Sequence, residues 1–216
     1  MTALPSRADA ARALVEIGRR FYARGWVLGT SGNFSAVVAD APRRLLVTPS
    51  GAHKGTLDAN ALVEIDDEGR HVAGEGRSSA ETRLHLEIVR ARGAGAVLHT
   101  HSVWATILSD RHAQAGGVAI SGYEMLKGLE GVATHDHREW VPIVPNDQDL
   151  TRLAGAFRTA LERHPDAHAV LIAGHGLYTW GDAIATAERH VEILEFLVEV
   201  LGRTAEGRHG AGENPR

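Results

Sequence analysis

The amino-acid sequence predicts a three-layer α/β/α domain with a mixed, largely antiparallel central sheet. Segments with apolar residues at helical spacing alternate with short apolar runs that are typical of strands. The first strand-like runs come in neighbouring pairs joined by turns, which favours hairpins over parallel βαβ units. The chain has 216 residues, which suits one domain, and we expect that domain to cover residues 1–203.

The elements of the first half follow from caps, periodicity and turns. Ser6 can cap a helix, and Gly25 can end it. Farther along, Leu84, Ile88 and Ala91 recur at helical spacing. In chain order we predict a helix from Ser6 to about Arg24, strands at 34–38 and 45–48, a hairpin over 62–76, and a helix from about Ser79 to Arg92.

The second half contains the two most apolar strand candidates, AVL before residue 99 and AVLIA before residue 174. Asp147 can cap a helix, and a long amphipathic segment ends near Arg203. The polar, glycine-rich residues 204–216 are expected to form a disordered tail. In chain order we predict a strand within 92–101, helices at 102–110 and 124–129, a strand at 140–144, a helix from Asp147 to about Arg163, extended segments within 167–176 and at 177–181, and a helix at 182–203.

Composition excludes several classes of function. The formal net charge is −4 and no long Lys/Arg run occurs, so no nucleic-acid partner is expected. No run of 18 apolar residues can span a membrane, and the N-terminus lacks the apolar core of a signal peptide. The chain has no cysteine, which excludes disulfides and thiolate metal sites. We therefore expect a cytoplasmic protein.

Three histidines have a pattern that predicts a metal site. His99 and His101 end an apolar strand, where residues i and i+2 point to the same face and Thr100 faces away. His175 ends the other apolar strand, and its flanking glycines allow a sharp turn. Three neutral imidazoles with an open position suit catalytic Zn²⁺, although Fe²⁺, Mn²⁺ and Co²⁺ accept the same ligands.

Other histidines have alternative interpretations. A single buried His is often only a hydrogen-bonded core residue. His135 and His137 form a second HxH pattern, but their segment is polar and has no apolar lead-in, so we interpret it as a solvated loop or edge near the site. Six further histidines form no such pattern and are interpreted as surface or packing residues: His85, His112, His164, His168, His190 and His209.

Three polar turns are candidate phosphate sites, namely TSGN at 30–33, TPSG at 48–51 and RSSAE at 77–81. Each offers hydroxyl side chains and backbone N–H groups, and Ser79 can open a helix towards an anion. Lys54 follows the second turn and can supply a positive charge. Each turn taken alone is most often only a turn, and SSAE is also a helix-capping pattern.

Two carboxylates are candidate acid–base residues. Glu124 lies in GYEMLKG between a glycine and a short predicted helix, and Glu81 lies in SSAE. A carboxylate near a metal and partly buried can be tuned to hold a proton near neutrality. The alternatives are a solvated first-turn residue for Glu124 and a capping residue for Glu81.

The stretches GTSGNFS, TPSG, SSAETRLH, AVLHTH and AGHGLYTWG, in this order over about residues 25–200, resemble the class II aldolase/adducin family. The segments RGAGAVLHTHS, YEMLKG and HGLYTWG resemble its members that remove water from a methylthio-bearing pentulose phosphate in methionine salvage. The resemblance implies a homo-oligomer, a tetramer with sites near subunit interfaces.

The resemblance also assigns roles to residues. It implies that His99, His101 and His175 hold one Zn²⁺ per subunit, and that Glu124 takes the C3 proton before the C4 hydroxyl leaves. The substrate contacts that it implies are Glu81 beside the metal and, at the phosphate turns, Asn33, Ser50, Gly51 and Ser79, with Lys54 nearby. Ala80 departs from the aldolases, which have a second Ser there, and this puts one phosphate hydrogen bond in doubt.

Two alternatives stay open. A sugar-phosphate aldolase or epimerase of the fuculose-phosphate or ribulose-phosphate type would share the fold and metal site but break another bond. Adducin-like members are interaction proteins without the metal site, and that interpretation conflicts with the presence of all three histidines.

Overall fold

The structure is a computed structural model that describes residues 3–210, with side chains as far as Thr204. One sheet of nine strands runs through this part of the chain. The strands are β1 Asn33–Asp40, β2 Arg43–Val47, β3 Val63–Asp66, β4 His71–Ala73, β5 Ala96–Thr100, β6 Gly117–Ile120, β7 Glu139–Val144, β8 Ala169–Ile172 and β9 Gly176–Gly181. The helices are α1 Arg7–Ala23, α2 Thr82–Arg92, α3 Val103–Arg111, α4 Leu150–Arg163 and α5 Ile184–Gly210, with short 3₁₀ helices at Lys54–Thr56, Ala59–Ala61, Ala113–Ala115 and Glu124–Gly128.

The strand order is β4-β3-β2-β1-β5-β9-β8-β7-β6. Every neighbouring pair is antiparallel except β7 and β8, which are parallel. This confirms the predicted mixed, largely antiparallel sheet. The register places Asn33 of β1 opposite His99 of β5, and His99 opposite Tyr178 of β9. These three residues therefore lie in one row across the centre of the sheet.

Helices cover both faces of the sheet. Helices α2 and α4 pack on one face, whereas α1, α3 and α5 pack on the other. Strand β5 is buried along its whole length, and its side chains alternate between the two layers. Val97 joins the cluster under α2 and α4, and Ala96 and Leu98 join the cluster under α1. The three layers match the prediction, and they hold β5 rigidly between two cores.

Local hydrogen bonds explain where several helices begin. The Ser6 hydroxyl accepts from the backbone N–H of Asp9, which is the predicted N-cap. Helix α4 differs from the prediction, because Asp149 and not Asp147 is its N-cap and accepts from the first-turn N–H groups. Asp147 lies just before this cap, where it accepts from the backbone of Asp149 and pairs with Arg152.

Two other boundaries also differ from the sequence-based prediction. Helix α2 begins at Thr82, with Glu81 at its N-cap position, so Ser79 does not open it and lies in the preceding turn. Helix α5 runs to Gly210, beyond the predicted end at Arg203, because no proline interrupts it and Arg203 pairs with Glu199. The rest of the predicted tail, residues 211–216, lies outside the described residues.

Strand β6 was not predicted from the sequence. It has four residues, GVAI, and among the described strands it pairs with β7 alone, at the edge of the sheet. Such a short run carries little periodicity. Within residues 3–210, no helix has the length and apolar character needed to cross a bilayer.

Candidate metal centre and anion cavity

Three imidazoles converge at the end of the central strand. His99 lies in β5, His101 directly follows it, and His175 lies in the turn between β8 and β9. The Nε2 atom of His101 lies 2.7 Å from Nε2 of His99 and 3.2 Å from Nε2 of His175. The structure thus brings together the three residues that the sequence singled out as ligands.

The surroundings leave these imidazoles neutral, so that their nitrogen lone pairs are available to a metal ion. His99 donates from Nδ1 to the carbonyl of Leu177 at 3.0 Å, which fixes its ring and leaves Nε2 as an acceptor. Burial lowers the pKa of His101 to about 4, and burial also lowers the pKa of His99 and of His175. Three converging neutral imidazole nitrogens fit a divalent transition metal.

The close approach of β9 to β5 explains the glycines around His175. Gly174 has a φ of 61°, in the left-handed region that favours glycine. A Cβ on Gly176 would lie 2.1 Å from the carbonyl oxygen of Thr100, so only glycine fits there. Thr100 itself points away from the imidazoles and donates its hydroxyl to the buried Glu195 of α5.

Gly176→Ala is expected to destabilise the protein by about 1–3 kcal/mol or more, because the new methyl group overlaps the backbone of β5. Gly155→Ala is the matched control. A Cβ there meets nothing within 4 Å, and Ala is favoured over Gly within helix α4 by about 1 kcal/mol. Denaturant unfolding should therefore shift in opposite directions for the two variants. A Gly176→Ala protein as stable as the wild type would contradict the close approach.

Glu81 is the carboxylate that faces the imidazoles. Its oxygens lie 3.4 Å from Nε2 of His175 and 3.9 Å from Nε2 of His99. Asn33 donates to Glu81 at 2.7 Å, and the amide oxygen of Asn33 faces Nε2 of the buried His85. Because Ser35 lies 2.8 Å from Nδ1 of His85, its hydroxyl can donate there while Nε2 donates to Asn33. This chain of hydrogen bonds fixes the orientation of Glu81.

Tyr178 forms the floor of the site and was not predicted as a site residue. Its ring stacks on His99, with centroids 3.8 Å apart and an interplanar angle of 11°. The side chain is fully buried, and within the described residues its hydroxyl has no hydrogen-bond partner. The pattern HGLYTWG predicted only that Tyr178 lies in an extended segment. Which residue Tyr178 faces across the sheet depends on how the strands pair, and the sequence gives no signal for that pairing.

The three predicted turns meet in one cavity of about 150 Å³ beside the imidazoles. A β-bridge between Pro49 and Ser78 joins the second and third turns, and Ser50 donates its N–H to the carbonyl of Arg77. Glu81 and His101 form the side of the cavity that faces the candidate metal centre. The predicted residues that line it are Asn33, Ser50, Gly51, Lys54, Ser79 and Glu81.

Lys54 supplies the positive charge of this cavity. The side chain is 1% exposed, and its ammonium group donates to the carbonyls of Thr30 and Ala52 at 2.9 and 2.8 Å. Burial lowers its pKa to about 8, while the charge of Glu81 acts in the opposite direction. An ammonium group has three N–H donors, so the third can bind an anion in the cavity.

Glu124 lies away from this cavity in the same chain. It opens the 3₁₀ helix Glu124–Gly128, where its side chain is 72% exposed. Lys127 lies 2.9 Å from the carboxylate and His135 lies 3.5 Å from it, and the hydrogen bond from Lys127 lowers the pKa of Glu124. The chain alone therefore does not bring Glu124 to the three imidazoles.

The second HxH pattern does not form a joint site. His135 faces Glu124, whereas His137 lies against Glu139, which also contacts His168. The interpretation of three other histidines as surface or packing residues was incomplete. His85 orients Asn33, and His168 and His190 bind the backbone of the segment around Glu130. Their partners are far away in sequence, so spacing gave no signal.

Comparison with known proteins places this site in a family. Residues 12–201 match the model of the class II aldolase and adducin N-terminal domain. The methylthioribulose-1-phosphate dehydratase of Methylococcus capsulatus is 48% identical over 89% of this chain and 93% of its own length. The protein of the same name from Sorangium cellulosum is 44% identical over 92% of this chain and 93% of its own length.

Solved structures show the same fold. The L-fuculose-1-phosphate aldolase of Thermus thermophilus is 24% identical, with a TM-score of 0.73 over 96% of this chain and 100% of its own. At that identity the likeness concerns the fold alone. On the family model and the identity to these relatives, the chain belongs to the class II aldolase and adducin family.

Proposed function

We propose that this protein is a methylthioribulose-1-phosphate dehydratase. It would remove water from 5-methylthioribulose 1-phosphate to give 2,3-diketo-5-methylthiopentyl 1-phosphate, a step of methionine salvage in the cytoplasm. The observation that carries the proposal is the convergence of three neutral imidazoles beside a cavity with a buried lysine. Relatives 44% and 48% identical to this chain bear that enzyme's name, which supports the choice of substrate.

The cavity would bind the phosphate group. Lys54 offers a charged donor, and the turns at Ser50, Gly51 and Ser79 offer hydroxyl and backbone N–H groups. The cavity adjoins His101, so a phosphate held there would place the neighbouring ketone carbon close to the imidazoles. Phosphate binding would thus orient the reacting end of the sugar.

His99, His101 and His175 would hold one Zn²⁺ per subunit. When bound, the metal would stabilise the negative charge that develops on the ketone oxygen as the C3 proton leaves. The buried hydrogen bond from His99 to Leu177 and the stacking of Tyr178 hold the ligand strand in place. Asn33 keeps Glu81 turned towards the imidazoles, where the carboxylate can accept from a substrate hydroxyl.

Glu124 would be the acid–base residue, supplied by a neighbouring copy in a homotetramer. Its exposed position on the 3₁₀ helix suits a residue that reaches into another subunit. It would take the proton from C3 and give a proton to the C4 hydroxyl, which leaves as water. The C3–H and C4–O bonds break, and the resulting enol becomes the 2,3-diketone when C4 takes up a proton.

One observation favours a second candidate, a class II sugar-phosphate aldolase. Glu81 is the carboxylate that already lies within 4 Å of two imidazole nitrogens, without any partner subunit. A base in that position would serve the cleavage of a carbon–carbon bond as well as it would serve the removal of water. The two candidates differ in the bond broken, so the products separate them.

The test is a product assay on the purified protein loaded with Zn²⁺. With 5-methylthioribulose 1-phosphate we expect diketone absorbance, and we expect a chelator to abolish it and added Zn²⁺ to restore it. Fuculose 1-phosphate and ribulose 5-phosphate are the control substrates. Release of an aldehyde from fuculose 1-phosphate without diketone formation would move the protein to the aldolases.

A further inference from the structure

A second cluster of polar side chains lies outside the candidate metal centre. Glu139, at the start of β7, is 1% exposed. One of its carboxylate oxygens accepts from Nε2 of His137 and from Nδ1 of His168, both at 2.9 Å. The other oxygen accepts from the backbone N–H of His168. A buried carboxylate thus joins the end of the segment 121–138 to the start of β8.

The same cluster holds the peptide groups of Glu130 from two sides. His168 donates from Nε2 to the carbonyl of Glu130 at 2.8 Å. His190 of α5 accepts the N–H of Glu130 at Nε2, at 3.0 Å, and donates from Nδ1 to the carbonyl of Trp180. Two imidazoles from different elements therefore bind one residue in the middle of the segment.

The partners fix the protonation of each ring. Both nitrogens of His168 face acceptors, so the doubly protonated, positively charged ring satisfies both partners, and in that state neither nitrogen keeps a lone pair for a metal. Burial alone would lower the pKa of His168, but the hydrogen bond and charge of Glu139 outweigh burial and raise it. His190 accepts at Nε2 and stays neutral, and burial lowers its pKa to about 4.

The segment held in this way carries Glu124. Its two ends are joined by the hydrogen bond from Gly122 to the carbonyl of His135. Leu126 and Leu129 anchor one side in the core under α5. The rest of the segment, from Glu130 to His137, is hydrogen-bonded to the surrounding fold through Glu139, His168 and His190.

We infer that His137, Glu139, His168 and His190 form a positioning cluster, which fixes the segment 121–138 so that Glu124 is held ready for a neighbouring site. This inference rests on the proposed role of Glu124. The four residues touch neither the candidate metal centre nor the cavity beside it, so they act through the segment.

The positioning cluster borders an open cleft of about 470 Å³, so solvent protons reach it. The titratable groups that face His168 are Glu139 on β7, His137 in the segment and His190 on α5, with Glu130 acting through its charge as well. The other charged residues that line the cleft are Arg92, Asp166 and Asp182. Because the folded pKa of His168 is raised, its charge is fully present below the ordinary value of 6.5 and is lost as pH rises through the raised pKa.

Glu139→Gln and His168→Gln test the inference, with His164→Gln as the control from a neighbouring, partly exposed position. For the first two variants we expect kcat to fall about 10- to 100-fold with little change in KM, and zinc content to stay the same. Hydrogen exchange should rise in residues 121–138 and not in α2. The alkaline limb of kcat that follows His168 should move to lower pH in Glu139→Gln.

Two results would overturn the inference. One is wild-type exchange across residues 121–138 in both variants, together with an unmoved pH limb. The other is a rise in exchange across the whole chain, which would indicate a general structural role. Failure of the proposed function itself shows separately, as a wild-type protein that forms no diketone, and the exchange measurement still decides whether the cluster orders the segment.

Discussion

Glu124→Gln is expected to lower kcat by about 10²–10⁴, the range that general acid–base catalysis contributes. Gln keeps the shape of Glu but can neither take the C3 proton nor return one to the leaving hydroxyl. The side chain is exposed and its charged partners are Lys127 and His135, so folding and metal content should not change. Steady-state kinetics, metal analysis and thermal unfolding measure the three quantities.

Asp136→Asn is the matched control, because Asp136 is an exposed carboxylate in the same segment and also lies beside His135. It should keep near-normal activity. Near-normal turnover by Glu124→Gln would remove Glu124 from the mechanism. Equal loss in the control would instead assign the effect to the charge of the segment.

Mixing two inactive variants tests whether Glu124 acts across subunits. In hybrids of Glu124→Gln with His101→Ala, a site with intact histidines can receive Glu124 from the other variant. With random assembly at equal amounts, about a quarter of the sites should recover, as expected for a symmetric oligomer in which one neighbour completes each site. No recovery would mean that Glu124 acts within its own chain or not at all.

His101→Ala is expected to abolish metal binding and activity together. Its Nε2 lies next to those of both other histidines, so its loss leaves only two imidazole donors. Bound zinc should fall from about one per chain to a small fraction, as expected for a site that loses one of three protein ligands. Metal analysis after dialysis, followed by the diketone assay, measures both effects.

The control for that variant is His71→Ala, since His71 is an exposed residue of the edge strand β4. It should keep both zinc and activity. A His101→Ala protein that retains about one tightly bound zinc per chain would rule out the three-histidine site. If His101→Ala keeps its zinc and the zinc is lost only when His137 or His168 is replaced, the metal would lie in the positioning cluster.

Much of the fold was predictable because its signals are local. Helix α1 has a serine N-cap and an apolar face, and the two apolar runs form β5 and β8 within the sheet. The errors lie where several residues compete for one role. Asp147 and Asp149 are both good N-caps, and the geometry of the preceding turn decides between them. A four-residue edge strand such as β6 has too few residues to show a period.

The convergence of the three imidazoles was predictable because HTH fixes two of them on one strand face, and the glycines mark the third. The supporting residues were not, since they depend on contacts across the sheet. His85 reaches Asn33 across 52 positions of sequence, and Tyr178 meets His99 only through the register of β5 and β9. The role of Glu124 could not be tested on a single chain, because the site that it would complete belongs to a neighbouring subunit of the tetramer that we propose.

The distance in sequence between the proposed metal ligands has a consequence for folding. His101 and His175 are 74 residues apart, so a metal that binds both would act as a cross-link in a chain that has no cysteine. As long as both imidazoles stay bound to the metal, closing a loop of that size disfavours the unfolded chain by about 4–5 kcal/mol. The loop contains the segment 121–138, so metal loading would also restrict how the segment that carries Glu124 can unfold.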